Sequence, residues 1–373
     1  MRKNSQTLTT QSIPTLIKQL AIPASTGMFF NTMYNVVDTF YAGLISTQAI
    51  SALTLSFMIF FLIIGFGYGF SSAITALLGN AFGKKKYKLA TIYAHKGLIF
   101  VPLIGVILSL IGYFFAPSLF ILLGAKEDYL NLSLEYINPI LFGSVFFMFN
   151  FSLNSILVAT GDTKTYRNSL IFGFFANLVL NPLLMYGFLF IPAMGLSGIA
   201  IATVLIQIIN MGYLLYKVLQ TKLIHFEKLD YFSPNFKVYK QFLNQGIPSS
   251  LNMLTMGIGS LILTYFVSHY GVNAVAGYGI GFRVEQLMLL PALGLSTAVL
   301  ALVSNNYGAK RYDRVIETMK VSLKYGFIIS TFGIIILTLL GKVIISLFDS
   351  NPIVVNFGIS YLLIEIWIFY AYI

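Results

Sequence analysis

GFSSAITALLGNAFGKKKY, Gly69 to Tyr87, returns as GLSTAVLALVSNNYGAKRY, Gly294 to Tyr312, and nine of the nineteen positions are identical without a gap. The offset is 294 − 69 = 225 residues, and it also sets Ile22-Pro23 against Ile247-Pro248 and Ala49 against Ala274. Self-similarity at so long a period points to two homologous halves rather than to a small-repeat solenoid. Each copy is an apolar helix that ends in a Gly and a cluster of Lys and Arg, the pattern of a membrane helix leaving on the cytoplasmic side.

Composition agrees. The chain is 57% hydrophobic and 9% charged, whereas water-soluble globules carry about a quarter charged residues. A transmembrane β-barrel would alternate in segments of about ten residues; apolar runs of roughly twenty to thirty make the spans helical. The net charge of +11 lies in short loops between those runs, which reads as positive-inside topology and excludes a nucleic-acid partner. The absence of cysteine removes disulfides, thiolate metal sites and cysteine catalysis together. Residues 1 to 12 are polar and show no removable signal peptide.

Apolar runs and their breaks predict helices at about 14–43, 48–79, 88–115, 130–158, 166–190 and 195–219, which form a six-helix lobe over 1–219. A polar linker follows at 220–238 with Lys222, His225, Glu227, Lys228, Asp230, Pro234 and Lys237, and the second lobe, 239–373, holds spans at about 240–270, 273–304, 313–341 and 353–373. Arg2, Lys3, the Lys84–Lys88 cluster, Lys164, Arg167, the linker lysines, Lys310, Arg311 and Arg314 all fall on one side, against Lys126 and Lys342 on the other. The N-terminus is therefore expected in the cytoplasm. An even number of helices separates the two copies of the repeat, so they cross in the same direction. The fold class is an all-α polytopic membrane protein of two parallel six-helix repeats, as in secondary transporters that rock two halves against each other. The first half ends near 219, and 219 + 225 = 444, so the expected architecture is twelve helices, of which ten are predicted here.

Polar groups inside the spans are the candidate site. The first helix carries Asn31, Thr32, Asn35, Asp38 and Thr39, and the i, i+4, i+7 spacing of Asn31, Asn35 and Asp38 places them on one helical face. An ionised Asp in mid-span costs about 2.5 to 3.5 kcal/mol, so it should face a partner or a water-filled cavity and be able to exchange a coupling ion. On the fifth helix Asn177 and Asn181 are one turn apart before Pro182, and Thr203 lies on the sixth. Asn35, Asn177, Asn181 and Thr203 would complete an oxygen cage around Asp38 for a proton-linked water network or a small cation. Ordinary interhelical hydrogen bonding is the competing account of such residues. The seventh helix, matching the first, offers only Asn252 and Thr255 and puts Leu263 opposite Asp38, which assigns the ion site to the first half. Arg283 and Glu285 lie inside the eighth helix, two residues apart and so on different sides; each is expected to reach the central cavity or a neighbouring helix. Asn31, Tyr34, Asn154, Asn252, Thr255, Arg283 and Glu285 are the expected lining of that cavity. Pro23 and Pro248 fall at equivalent places and bend their helices, and the Gly65-x-Gly67-x-Gly69 run serves close helix packing rather than phosphate binding.

Enzyme signatures are missing. There is no Walker A sequence, and His95, His225 and His269 show no metal spacing. Gly161-Asp162 and Tyr312-Asp313 sit in basic loops rather than in spans, which argues against an aspartyl protease. No cofactor is expected beyond a coupling ion, H⁺ or Na⁺, and no metal beyond Na⁺ at Asp38.

Ile22-Pro23, the segment NVVDTFYAG around Asp38, the two copies ending Asn80-x-x-Gly83 and Asn305-x-x-Gly308, the loop ATGDTKTYRN from Ala159, Asn177 with Asn181-Pro182, and GLSGIAIAT ending at Thr203 resemble the multidrug and toxin extrusion (MATE) family over the whole chain. The resemblance implies two six-helix lobes in the inner membrane, a central cavity, and export of amphipathic, often cationic compounds in exchange for H⁺ or Na⁺ by a monomer, with Asp38 as the coupling carboxylate. Many relatives carry Asp at the position of Asn181 and others a Glu at that of Met256, so a single carboxylate is implied at the ion site here. A flippase for lipid-linked saccharide or peptidoglycan precursor is the alternative; its pyrophosphate cargo would call for several cavity Arg or Lys, and Arg283 is the one available. A non-transporting receptor or assembly subunit is a further alternative.

Overall fold

A computed structural model describes residues 7–190, 192–225, 233–349 and 351–371. Arg2 and Lys3, the linker residues Glu227, Lys228 and Asp230, and the side chain of Met256 lie outside the described residues. Ten long helices follow one another: α1 Ile13–Ile45, α2 Thr47–Gly83, α3 Tyr87–Leu122, α4 Glu127–Ala159, α5 Lys164–Tyr186, α6 Gly195–Gln220, α7 Phe236–Ser268, α8 Val272–Gly308, α9 Tyr312–Ser346 and α10 Pro352–Glu365. No β-strand occurs among the described residues.

The apolar runs locate each helix, and the ends differ where local chemistry decides. α3 continues through Pro117 to Leu122, past the expected stop near 115. A proline removes one backbone bond, but without water to compete the neighbouring bonds carry the helix on. α5 stops at Tyr186 rather than 190 because Gly187 takes φ 78°. α10 tightens into a 3₁₀ turn over Ile366–Tyr370. Among the described residues nine helices are long and apolar enough to cross a membrane. The exception is α1, whose hydropathy is lowered by the polar series that includes Asp38.

Within the first half α4 is central and packs on α2, α3 and α6, while α5 and α6 lie together against α1. Its inward face, with Ile137, Ile140, Leu141 and Met148, is fully buried. In the second half α8 packs on α9 and α10.

Between the halves, α1 meets α8, α2 meets α7, and α2 meets α8. Under the repeat α1 corresponds to α7 and α2 to α8, so the first two contacts are one contact made twice and the third lies on the axis relating the halves. Side chains bear this out. A Cβ added at Gly69 would overlap Ser250, and one at Gly294 would overlap Ser25, and both Gly and Ser pairs differ by 225. On the axis, Gly79 stands against Ser304, its own equivalent, while Gly83 lies on the Asn305 carbonyl and Gly308 on the Asn80 carbonyl. The repeated motif therefore packs against its own copy, as in an isologous interface, and glycine is required because backbone touches backbone. Gly65 and Gly69 of the glycine run face α7, and Gly67 faces Phe151 of α4, so the run does serve packing.

The contacts at Gly79, Gly83 and Gly308 lie at the end of the bundle that bears the Lys84–Lys86 and Lys310–Arg311 loops. Toward the other end, Val36, Phe40 and Leu44 of α1 and Ile258, Ile262 and Leu263 of α7 are exposed. At the basic end the two halves meet backbone to backbone.

Candidate functional site

Asp38 lies two turns inside the end of α1 and is 3% exposed. α5 brings Asn177 and Asn181, one turn apart and fully buried, and α6 brings Thr203. Both asparagine amides donate to Asp38 Oδ1 at 2.8 Å, and the Thr203 hydroxyl donates to Oδ2 at 3.4 Å. The two asparagines also bond each other, Nδ2 to Oδ1, at 3.4 and 3.2 Å. The Tyr34 hydroxyl donates to Thr203 Oγ1 at 3.0 Å and so fixes the threonine. Three donors from two helices thus satisfy a carboxylate that burial would otherwise make costly.

The chemistry of the amides would allow this cradle a second arrangement. Turning an Asn side-chain amide by half a turn exchanges its NH₂ for its carbonyl oxygen. The same groups would then present a carboxylate oxygen, two amide oxygens and a hydroxyl, an oxygen set suited to a small hard cation.

Sequence reasoning and geometry part company at Asn31 and Asn35. Both are exposed, and the Asn35 amide donates to the Asn31 carbonyl at 2.9 Å rather than to Asp38. Asn35, expected in the oxygen cage, is outside it: the buried edge of α1 carries Tyr34 and Asp38, because that edge is the one α5 and α6 cover. Tyr34, expected in an open cavity, is buried in the Asp38 cluster. Asn252 and Thr255 on α7 and Arg283 on α8 are exposed, with the Thr255 hydroxyl donating to the Leu251 carbonyl. Asn154 lies on α4 with its carbonyl oxygen buried and unpaired.

Glu285, also expected in the cavity, is 4% exposed and takes a hydrogen bond from the Tyr361 hydroxyl of α10. It reaches a neighbouring helix, one of the two outcomes the spacing allowed. Tyr361 stacks edge-on to Tyr278, whose hydroxyl lies 3.3 Å from Ser260 Oγ, and Glu365 sits one turn further along α10. Sequence reading missed Tyr361; its i, i+4 relation to Glu365 was the available signal. No group of three or more His, Cys, Asp or Glu that could hold a metal occurs among the described residues.

The family model for MatE matches residues 23–183 and 248–373. The chain belongs to the MatE family. The two matched stretches of this MatE protein start at the paired prolines, Pro23 and Pro248, and so retrace the internal repeat. A probable multidrug resistance protein of Bacillus subtilis, YoeA, is 29% identical over 326 residues, covering 87% of this chain and 70% of the relative. An FAD transporter of Shewanella oneidensis is 25% identical across 97% of this chain and 80% of its own length. Among solved structures, an outward-facing multidrug resistance MATE transporter of the MOP superfamily superposes with a TM-score of 0.89 at 26% identity, covering 99% of this chain and 81% of that one. A Pyrococcus furiosus MOP superfamily transporter, described as having a binding pocket of reversed polarity, gives the same TM-score and identity. This MatE protein is a multi-pass membrane protein with the fold of these transporters.

Proposed function

We propose that the chain is a cation-coupled antiporter that exports amphipathic, mostly cationic organic compounds in exchange for H⁺ or Na⁺. The observation that carries the reading is the convergence of Asn177, Asn181 and Thr203 on buried Asp38. A carboxylate with invertible amide partners has two low-energy states, ion-bound and ion-free, which is what coupling needs. The binding space is the region between α1, α2, α7 and α8 where the halves part, with Asn31, Asn252, Thr255 and Arg283 at its surface. Alternating access then breaks the glycine joint at the basic end while the opposite ends close. With the basic loops inside, the N-terminus is cytoplasmic, the described state faces outward, and a monomer in the inner membrane suffices. The multidrug resistance relatives support this substrate class, and the FAD transporter among them marks how far cargo varies on one scaffold.

The test is ethidium efflux from cells and uptake into everted vesicles under imposed H⁺ or Na⁺ gradients, with wild type and Asp38→Asn. Gradient-driven movement in the wild type and its loss in Asp38→Asn, with ethidium still bound, is the expected result, and the gradient that works names the ion. Unchanged pumping by Asp38→Asn would move the coupling site elsewhere.

A further inference from the structure

The segment that leads into the first helix of each half is gripped by a buried cation from the third helix of the other half. On one side, Arg314 in the first turn of α9 donates from Nη2 to the Gln11 carbonyl at 2.6 Å and to the Leu8 carbonyl at 3.4 Å. Asn306 of α8 donates to the same Leu8 carbonyl at 3.1 Å, and its side-chain oxygen accepts from Arg314 Nε at 2.9 Å. On the other side, Lys96 of α3 donates to the Ser233 carbonyl, just ahead of α7. Ser233 is the repeat equivalent of Leu8, since 233 − 8 = 225, and α3 is the equivalent of α9. The same carbonyl is thus gripped in both halves, by cations from unmatched positions: Leu89 stands opposite Arg314, and Val321 opposite Lys96. Each grip has a second contact between the same two helices. Lys18 of α1 lies 5.6 Å from the centre of the Tyr325 ring of α9, and the Tyr93 hydroxyl of α3 donates to Gln241 of α7 at 2.7 Å.

In the sequence Arg314 counts with the loop cations, yet it is 7% exposed, and Lys96 is 3% exposed. Nearby Arg311 is exposed and pairs with Asp313, whereas among the described residues no carboxylate lies within ion-pair distance of Arg314. This choice of partner matters for release. A buried ion pair leaves a bare charge on each side when it is parted, while backbone carbonyls give way to water at an end that opens. Leu8, 2% exposed, packs with Val158 of α4 and with Ala298 and Leu302 of α8, and so is wedged between the halves.

We propose that Arg314 and Lys96 are two catches on the basic end: each holds the segment leading into the other half in the described state, and both let go when that end opens during transport. They are positioning residues, which act on the balance between two states rather than on ion or cargo. The inference rests on the alternating-access reading, in which the α1–α9 and α3–α7 contacts have to part.

The chain contains no cysteine, so a single introduced thiol reports its own exposure. Leu302→Cys, smaller than the leucine it replaces and packed on Leu8 between the halves, is reacted with a soluble maleimide in the full chain held in lipid nanodiscs. Adding Arg314→Met should raise the labelling rate about tenfold or more, the scale set by hydrogen bonds to a charged group. Lys96→Met should raise it about threefold or more, and the two together by the product of their factors, because the catches share no partner. Arg314→Lys, which keeps the charge but not the fork of donors, should fall between wild type and Arg314→Met. The control is Ser155→Cys, fully buried inside the first half where α4 meets α2; its rate should be the same with and without these substitutions, and thermal unfolding confirms that the variants are folded. An unchanged Leu302→Cys rate in either folded methionine variant, or an equal acceleration at Ser155→Cys, overturns the catches. Labelling uses neither cargo nor gradient, so a failure of the antiport reading shows separately, as absent ethidium movement in the wild type.

Discussion

Asp38 and Glu285 are buried carboxylates on opposite halves of a duplicated fold, and they are held in different ways. Asp38 accepts from two amides and a hydroxyl on two neighbouring helices. Glu285 takes one hydroxyl, from Tyr361, with a second acid, Glu365, a turn away on the same helix as the tyrosine. An amide pair can present nitrogen or oxygen to its partner, whereas the Tyr361 hydroxyl brings a single proton and a single bond. The two halves share a repeated sequence, yet their buried carboxylates differ: the first is cradled by amides and a hydroxyl, the second fastened to one neighbouring hydroxyl.

The largest expected effect tests that division directly. Asp38→Asn should reduce gradient-driven export to background while Glu285→Gln keeps it within about fivefold, as measured by vesicle transport; a hydrogen bond exchanged for a neutral one costs only about 1 kcal/mol, and 1.36 kcal/mol is tenfold in rate. Equal loss in both variants would break the comparison. Next, Asn177→Leu should lower stability by about 1.5 to 3 kcal/mol, the worth of a hydrogen bond to a charged group, seen as a fall in the thermal unfolding midpoint at neutral pH. Removing the carboxylate should erase most of that cost, so Asp38→Asn combined with Asn177→Leu should be less destabilised than the sum of the two singles.

Tyr361→Phe ranks third. It leaves Glu285 without its donor and should cost about 1 to 2 kcal/mol, again by thermal unfolding, with little change in the ion that drives transport. A change of coupling ion in Tyr361→Phe would show that the second half takes part in coupling after all. The smallest effect belongs to Tyr34→Phe. Its hydroxyl touches Thr203 rather than Asp38, so about 0.5 to 1.5 kcal/mol is expected, and a larger loss would place Tyr34 among the groups that meet the ion.

Much of the site was legible because membranes leave few reasons for polarity in a span. An acid in α1 and two amides one turn apart in α5 stand out against apolar surroundings, and the geometry joins them. What was not legible is which edge of α1 turns inward. Asn31 falls near Asp38 on a helical wheel, yet it is exposed, because the choice was made by where α5 and α6 pack. Tyr361 was hidden for a similar reason: 76 residues separate it from Glu285, and no local pattern records that distance. The repeat predicted two like halves. It did not predict that the copies would touch, since periodicity reports likeness and not adjacency; the paired Gly–Ser overlaps supply the adjacency.

The modest hydropathy of α1 has a consequence for biosynthesis. Among the ten long helices described this one is made before the others, and the groups that satisfy Asp38 follow 139, 143 and 165 residues later. At about 5 to 20 residues per second that is a wait of roughly seven to thirty seconds. During it the nascent chain carries an acid with no cradle, in the one of the ten described helices that falls short of the apolar content of a membrane span. Its settled position in the bilayer is therefore earned late, when α5 and α6 arrive, and a ribosome that stalls before them would leave α1 to the insertion machinery and its quality control.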